Sequence, residues 1–245
     1  MTLYDGFDGA ALAVRLGLPR IELRDSTTST MDDAHALAAQ GAPSGSLVLA
    51  NEQSAGRGRS GARWFGAPGS SVLCTLIERP ATADALTVLS LRIGLGAARA
   101  LDAAAGEHVR VKWPNDLYIA SGKFAGILVE ARWHDGQPTW VALAMGVNLA
   151  APADVPGAAG LPEGVTRIDV LSAIVPAMRA AAAASGPLTE SELAAWAARD
   201  WLAGRRVSAP LQGVARGILP TGELAIDTAE GRMALRSGTV TLEDS

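Results

Sequence analysis

VRVKWPNDLYIASGKFAGILVEARWHDGQPTWVALAMGVNL, residues 109–149, is the stretch whose reading decides the fold. VRVKW (109–113) alternates with a period of two, Val109, Val111 and Trp113 on one face and Arg110 and Lys112 on the other. LYIA, KFAGILVEARW and TWVALAMGVNL follow as three more strands separated by hairpin-length gaps, which predicts a largely antiparallel or mixed sheet. Upstream, RIELR (20–24), SLVLA (46–50) and SVLCTLIE (71–78) supply further strands. Helical patterns cover 31–40, where Ser29 or Thr30 is a natural cap, and 84–104. Downstream, 151–166 reads as a Pro- and Gly-rich loop and 168–184 as a helix with Pro176 a candidate kink. Thr189 and Glu192 have capping-box spacing before another helix, through Trp201. Clustered helices and neighbouring strands make this an α+β fold, a mixed or antiparallel sheet with flanking helices, over residues 1–203. From Gly204 the texture changes to short β runs and turn pairs, predicting a small all-β barrel at 204–245 that packs on the main domain.

Composition narrows the function classes. The chain has 245 residues, 49% of them hydrophobic and 19% charged, which is enough for a sizeable core. Twenty-one basic against 25 acidic residues give a net charge of −4, which argues against a general nucleic-acid binder. One cysteine excludes an internal disulfide and a Cys-based zinc site. No apolar run approaches the ~18 residues of a membrane span and no signal peptide is visible, so the expected setting is cytoplasmic, away from membranes.

Four segments are unusual for their strands and loops. GRGRSGARW (56–64) interleaves Gly56, Gly58 and Gly61 with Arg57, Arg59 and Arg63, a composition that wraps a phosphate or carboxylate, or else forms a solvated flexible loop. It is not a P-loop, because no Gly-Lys-Ser/Thr follows. KWPNDLY (112–118) ends a strand in a turn at a sheet edge, where Asn115 and Asp116 suit Mg²⁺ or make an ordinary Asn-Asp turn. In GKFAGILVE (122–130), Lys123 opens an apolar strand, either snorkelling to solvent or aimed at an anion in a cleft. Gly126 lets another group approach the backbone. In STMDDA (29–34) with Gln53, hydroxyls at a helix start and an amide at a strand end either cap the helix or read a small polar head group.

Taken in order, STMDDA, NEQSAGRGRSGARW, RVKWPNDLY, GKFAGILVE and GVNL resemble the biotin–protein ligases over roughly residues 20–150. KWPND followed by GKxAGILVE is the specific part. The β-rich tail, with ARGILPTGELAI, is similar to their SH3-like C-terminal domain. The resemblance implies a fold of the class II aminoacyl-tRNA synthetase and biotin ligase kind. It also implies a two-step reaction: biotin and MgATP give biotinyl-5′-AMP and pyrophosphate, and a lysine of a biotin carboxyl carrier protein then displaces AMP. Joining two anions requires cations to offset their repulsion, about 4 kcal/mol per unit pair at ~4 Å and an effective dielectric of ~20.

The resemblance assigns Lys123, Arg59 and Asp116 to catalysis. Ser29, Thr30, Gln53, Gly56, Arg57, Gly58, Arg59, Lys123 and Gly126 would bind biotin. Arg57, Arg59, Arg63, Trp64, Lys112, Asn115, Asp116, Lys123 and Asn148 would bind ATP and the adenylate, with Trp64 stacking on adenine and Asn115 and Asp116 on the Mg²⁺ side. Two positions depart from the family pattern: Ala62 where Arg is frequent, and Met31 where Asn is common. Some members carry an N-terminal DNA-binding domain; only ~20 residues precede the first expected strand here, so a monofunctional ligase without nucleic-acid binding is expected. Related ligases dimerise through a sheet edge, which makes a homodimer one assembly open to this chain. A lipoate–protein ligase, the nearest rival, should show an Arg-Arg…Gly-Gly-Gly…His loop, which is absent. A nucleic-acid binder using the Arg/Gly loop and its aromatic neighbours would need other basic clusters, also absent.

Overall fold

The structure is a computed structural model that describes residues 2–64, 66–79, 82–120 and 122–243, Ser60 by its backbone only. The main sheet has seven strands in the order β1 (Ile21–Thr27), β2 (Ser46–Gln53), β3 (Ser71–Glu78), β7 (Gln137–Asn148), β6 (Gly122–His134), β5 (Asp116–Ile119) and β4 (Arg110–Lys112). Only β1 and β2 run parallel; the other pairs are antiparallel, so the sheet is mixed.

Alternation along the strands gives the sheet two covered faces. Leu47, Leu49, Leu76 and Leu143 point to the large core, which includes α3 (Leu89–Ala105) and α4 (Arg167–Ala183). Val48, Ile77 and Ala142 form a second, smaller cluster under α2 (Thr30–Ala39). Ser29 caps α2, its hydroxyl accepting from the Met31 amide at 3.3 Å. Four strands span more than the sequence runs suggested, and β2 reaches Gln53.

Two sequence expectations are corrected, and one element is added. A helix α1 (Gly9–Leu16) precedes β1, capped by the Asp8 carboxylate and closed by Gly17 in the left-handed region. The helix that was to run through Trp201, α5 (Glu190–Ala197), stops four residues earlier. The chain leaves it to pair with β4: the Val111 amide donates to Arg199 O at 2.9 Å and the Trp201 amide to Val111 O at 2.8 Å. Satisfying an otherwise open sheet edge outweighs another half-turn of helix. Finally, Asp116 is not at a sheet edge, since β5 is paired on both sides, to β4 and β6.

The C-terminal residues form a five-stranded antiparallel sheet ordered β11 (Gly231–Leu235), β10 (Leu224–Thr228), β9 (Gly213–Ile218), β8 (Arg206–Ala209) and β12 (Thr241–Leu242). Among the described residues β11 and β12 are not paired to each other, so the sheet is open. Val207, Ala215, Leu224, Ile226 and Val240 join the same hydrophobic cluster as the main sheet. Trp113, 2% exposed, donates its indole N–H to Gly222 O at 2.9 Å and fastens the two sheets together. Among the described residues no helix is long and apolar enough to cross a membrane.

Candidate active site

Two adjoining cavities open on the α2 face of the main sheet and share Arg63, Trp64, Lys123 and Thr239. The first, about 220 Å³, has its head at the N-terminus of α2 and the end of β2. There Gln53 Oε1 accepts from the Thr30 amide at 2.7 Å and from the Thr30 hydroxyl at 3.0 Å, and Thr75 donates to that hydroxyl at 2.9 Å. Thr30 is therefore saturated and orients Gln53, whose amide N–H groups remain for a ligand. Ser29 also lines the head and keeps its hydroxyl proton.

The floor of this cavity depends on two glycines. Gly126 of β6 and Gly146 of β7 are cross-strand partners, and the Trp64 indole lies across both. A Cβ on Gly146 would come within 2.5 Å of the indole, and one on Gly126 within 3.0 Å. Glycine here makes a flat trough between side-chain-bearing strands. Trp64 thus packs on the sheet and separates the cavities, and its indole N–H has no partner among the described residues.

Lys123 reaches this site through a β-bulge. Leu117 pairs with Ala125 but Tyr118 pairs with Lys123, so Phe124 is an extra residue in β6. Strict alternation would put Lys123 and Gly126 on opposite faces, since they are three residues apart. With the bulge, the Lys123 ammonium lies 3.4 Å from where a Gly126 Cβ would be, and 2.7 Å from Asp116 Oδ1. Opposite stands Arg59, whose guanidinium donates to Asn115 Oδ1 at 3.3 Å. Asn115 is held in turn by its own donation to Ile127 O at 2.8 Å.

These contacts bear on Asn115 and Asp116 as a metal site. Asn115 Oδ1 and the Asp116 carboxylate already face Arg59 and Lys123, and a dication there would meet two resident positive charges. No cluster of three or more His, Cys, Asp or Glu suited to a metal occurs among the described residues. The donor set fits an anion held between two cations.

The second cavity, about 490 Å³, is lined by Lys112, Tyr118, Trp201 and Asn148, by the 152–158 loop and by residues 239–242. Tyr118 and Trp201 pack with ring centroids 4.6 Å apart, and the Lys112 ammonium sits 5.4 Å from the Trp201 ring and 5.6 Å from that of Tyr118. Burial lowers the Lys112 ammonium below the usual lysine range, with Asp116 opposing the shift, and pushes the Tyr118 hydroxyl up to about 12. The loop is fixed to β6 by the Lys123 amide donating to Gly157 O at 2.9 Å and the Ala159 amide to Lys123 O at 2.8 Å.

The structure thus gathers Ser29, Thr30, Gln53, Arg57, Gly58, Arg59, Asn115, Asp116, Lys123 and Gly126 around one cavity, and Lys112 and Asn148 around its neighbour. Gly56 lines neither. It lies behind the loop, where a Cβ would meet Trp64 O at 2.8 Å and Gln53 Nε2 at 2.9 Å. Asn148, 3% exposed, has its amide engaged with Ala159 O and the Ser71 hydroxyl. Sequence reasoning missed Gly146, Tyr118, Trp201 and Thr239. Gly146 carried a signal, a glycine interrupting an apolar strand; the others had none.

The profile of the Biotin/lipoate A/B protein ligase family matches residues 23–148, just over half of the chain. The chain belongs to this family. A biotin–[acetyl-CoA-carboxylase] ligase of Mycobacterium tuberculosis is 31% identical over 242 residues, covering 91% of this chain and 89% of that ligase. The bifunctional ligase/repressor BirA of Bacillus spizizenii is 36% identical over 132 residues, which are 54% of this chain but only 41% of that protein's length. In structure, the family fold is shared with the biotin protein ligase from Aquifex aeolicus in complex with biotin and ATP, at a TM-score of 0.73 and 22% identity over 91% of this chain and 98% of the other.

Proposed function

We propose that this chain is a biotin–protein ligase that converts biotin and ATP to biotinyl-5′-AMP and pyrophosphate, then passes biotin to a lysine of a biotin carboxyl carrier domain. The observation that carries the reading is the Lys123–Asp116 pair. A β-bulge sets it beside the glycine trough, where the two cavities meet.

The ureido head of biotin offers two N–H donors and one acceptor. Ser29 and Gln53 supply complementary groups at the closed end of the first cavity, where an unpaired polar group costs about 1–3 kcal/mol. The carboxylate then points toward Lys123 and Arg59. Its attack on the α-phosphate brings two anions together, and these cations stabilise the charge that builds up as pyrophosphate leaves. Asp116 holds the Lys123 ammonium in place. The nucleotide occupies the second cavity, with Lys112 for a phosphate and the Tyr118–Trp201 pair and Trp64 as apolar walls. Mg²⁺ arrives as part of the substrate MgATP, on phosphate oxygens. Gly58 and Gly61 let the loop close over the adenylate and exclude water, which would hydrolyse it. In the transfer step the acceptor amine attacks the acyl carbon and AMP departs.

On this reading residues 1–203 form the catalytic unit. Residues 204–245 form an SH3-like unit whose 239–242 segment completes the nucleotide cavity. The test is pyrophosphate release with ATP and either biotin or lipoate, with and without a carrier domain. Release is expected with biotin and label transfer only with the carrier; equal release with lipoate overturns the assignment.

A further inference from the structure

The three loop arginines are not equivalent. Gly58, Arg59, Ser60, Gly61 and Ala62 form a tip closed by a neck, at which Arg57 and Arg63 pair as an antiparallel bridge. The Trp64 amide donates to Gly56 O at 2.9 Å and the Gly58 amide to Ala62 O at 2.7 Å. At this neck the Arg57 guanidinium lies 3.0 Å from Asp32 of α2 and 3.2 Å from Glu130 of β6. One cation faces two carboxylates, so little of its charge remains for a ligand. Arg59, at the tip, donates to the neutral Asn115 amide, and among the described residues no carboxylate pairs with it.

Glu130 is itself held from behind. The Trp140 indole donates to His35 Nδ1 at 3.0 Å, which leaves the ring proton on Nε2, 3.1 Å from Glu130 Oε2. The His35 side chain is only 9% exposed, so this arrangement is fixed by packing. Elements α2, β6 and β7 therefore converge on one loop arginine, and α2 is the helix whose N-terminus forms the head of the first cavity.

Building on the ligase reading, we propose that Glu130, oriented by His35, is a positioning residue that with Asp32 clamps Arg57 as the fixed post of the loop, while Arg59, rather than Arg57, binds the reacting anion. The post keeps the neck closed so that the tip swings as a short lid over the adenylate. Two partly exposed pairs on one guanidinium are individually weak, and together they bias the lid rather than determine it.

The experiment compares Glu130→Gln, Asp32→Asn, Arg57→Met, Glu130→Gln with Arg57→Met, and Arg59→Met in the full chain. Three readouts are followed: tryptic cleavage after Arg59 or Arg63 without ligand, loss of pre-formed biotinyl-AMP in a chase, and single-turnover adenylation at saturating substrates. Glu130→Gln should speed both cleavage and adenylate loss about fivefold, with single-turnover adenylation within about twofold of the parent. The double variant should add nothing to Arg57→Met, since both remove the same clamp. Asp32→Asn, on an exposed helix face, should move the same two readouts in the same direction and guards against a folding defect at Glu130. Arg59→Met should reduce adenylation itself, by about 10²-fold.

Unchanged cleavage and adenylate loss in both Glu130→Gln and Asp32→Asn overturns the proposal, as does Arg57→Met reducing single-turnover adenylation as far as Arg59→Met. The cleavage readout needs no biotin. A chain inactive with biotin would therefore sink the ligase reading, while the cleavage rates would still decide for or against the clamp.

Discussion

The two cavities are built in opposite ways. The first takes its chemistry from short segments that are intact in the sequence: the α2 start, the end of β2, the arginine loop and the β5–β6 hairpin. The second is assembled from Lys112, the 152–158 loop, Trp201 and residues 239–242, segments spread over some 130 positions. A site that grips a reacting group needs donors at set spacing, and local motifs provide that. A wall for a large planar ligand needs only area, and any segment brought there by folding provides it.

If this division is right, substitutions should separate by cavity. The largest effect belongs to Lys123→Ala, expected to lower single-turnover adenylation about 10²–10³-fold at saturating biotin. Lys123→Arg should rescue little, because a planar fork cannot occupy the space of an ammonium beside Asp116 and Gly126. Near-normal adenylation by Lys123→Ala would show a lysine that merely neutralises Asp116.

Next comes Gln53→Leu, which removes the head-group amide and leaves the Thr30 amide unpaired; KM for biotin should rise roughly tenfold while KM for ATP holds. Trp201→Ala should do the reverse, raising KM for ATP about fivefold through the lost stack with Tyr118 and leaving biotin untouched. If either variant shifts both constants equally, the cavities are not separate in function.

The smallest effect is remote. Arg199 donates to Asp102 at 2.6 and 2.8 Å and to Val109 O at 2.8 Å, which fixes the 199–201 segment against β4 and so places Trp201. These hydrogen bonds hold the Asp102 carboxyl below its usual range. The stability they contribute is present above the unfolded-state value near 3.8 and is lost as pH falls through the lower folded-state value. Asp102→Asn should cost about 1 kcal/mol at pH 7 by denaturant titration. The gap from the parent should close as pH falls below 3.8 and through the lower folded-state value, and KM for ATP should rise about twofold. A gap that persists at low pH would mean that the ionised pair is not its source.

Much of the fold was legible in the amino-acid order. SVLCTLIE is β3 residue for residue, KFAGILVEARW lies within β6, and TWVALAMGVNL lies within β7 except for Leu149. Helix α1 was legible too, from Asp8 as cap and Gly17 as stop, but its short apolar stripe gave little weight beside the strands. The early end of α5 had no local signal, because the competitor for residues 199–201 is β4, nearly ninety positions away.

For the candidate site, sequence alone determined which chemical groups are present and roughly where each meets the backbone. Arginines stand among glycines, a lysine at the head of a strand, an amide at a strand end and hydroxyls at a helix start. Tertiary structure decided which of these act together. The bulge at Phe124 turns Lys123 onto the face of Asp116 and Gly126, and pairing across β6 and β7 sets Gly146 opposite Gly126 to open the trough. Carboxylates from α2 and β6 set Arg57 apart from Arg59, although the two stand two residues apart in one motif. The physical reason is that residue type fixes charge and hydrogen-bonding capacity locally. Direction and compensation depend on partners brought in from elsewhere in the chain.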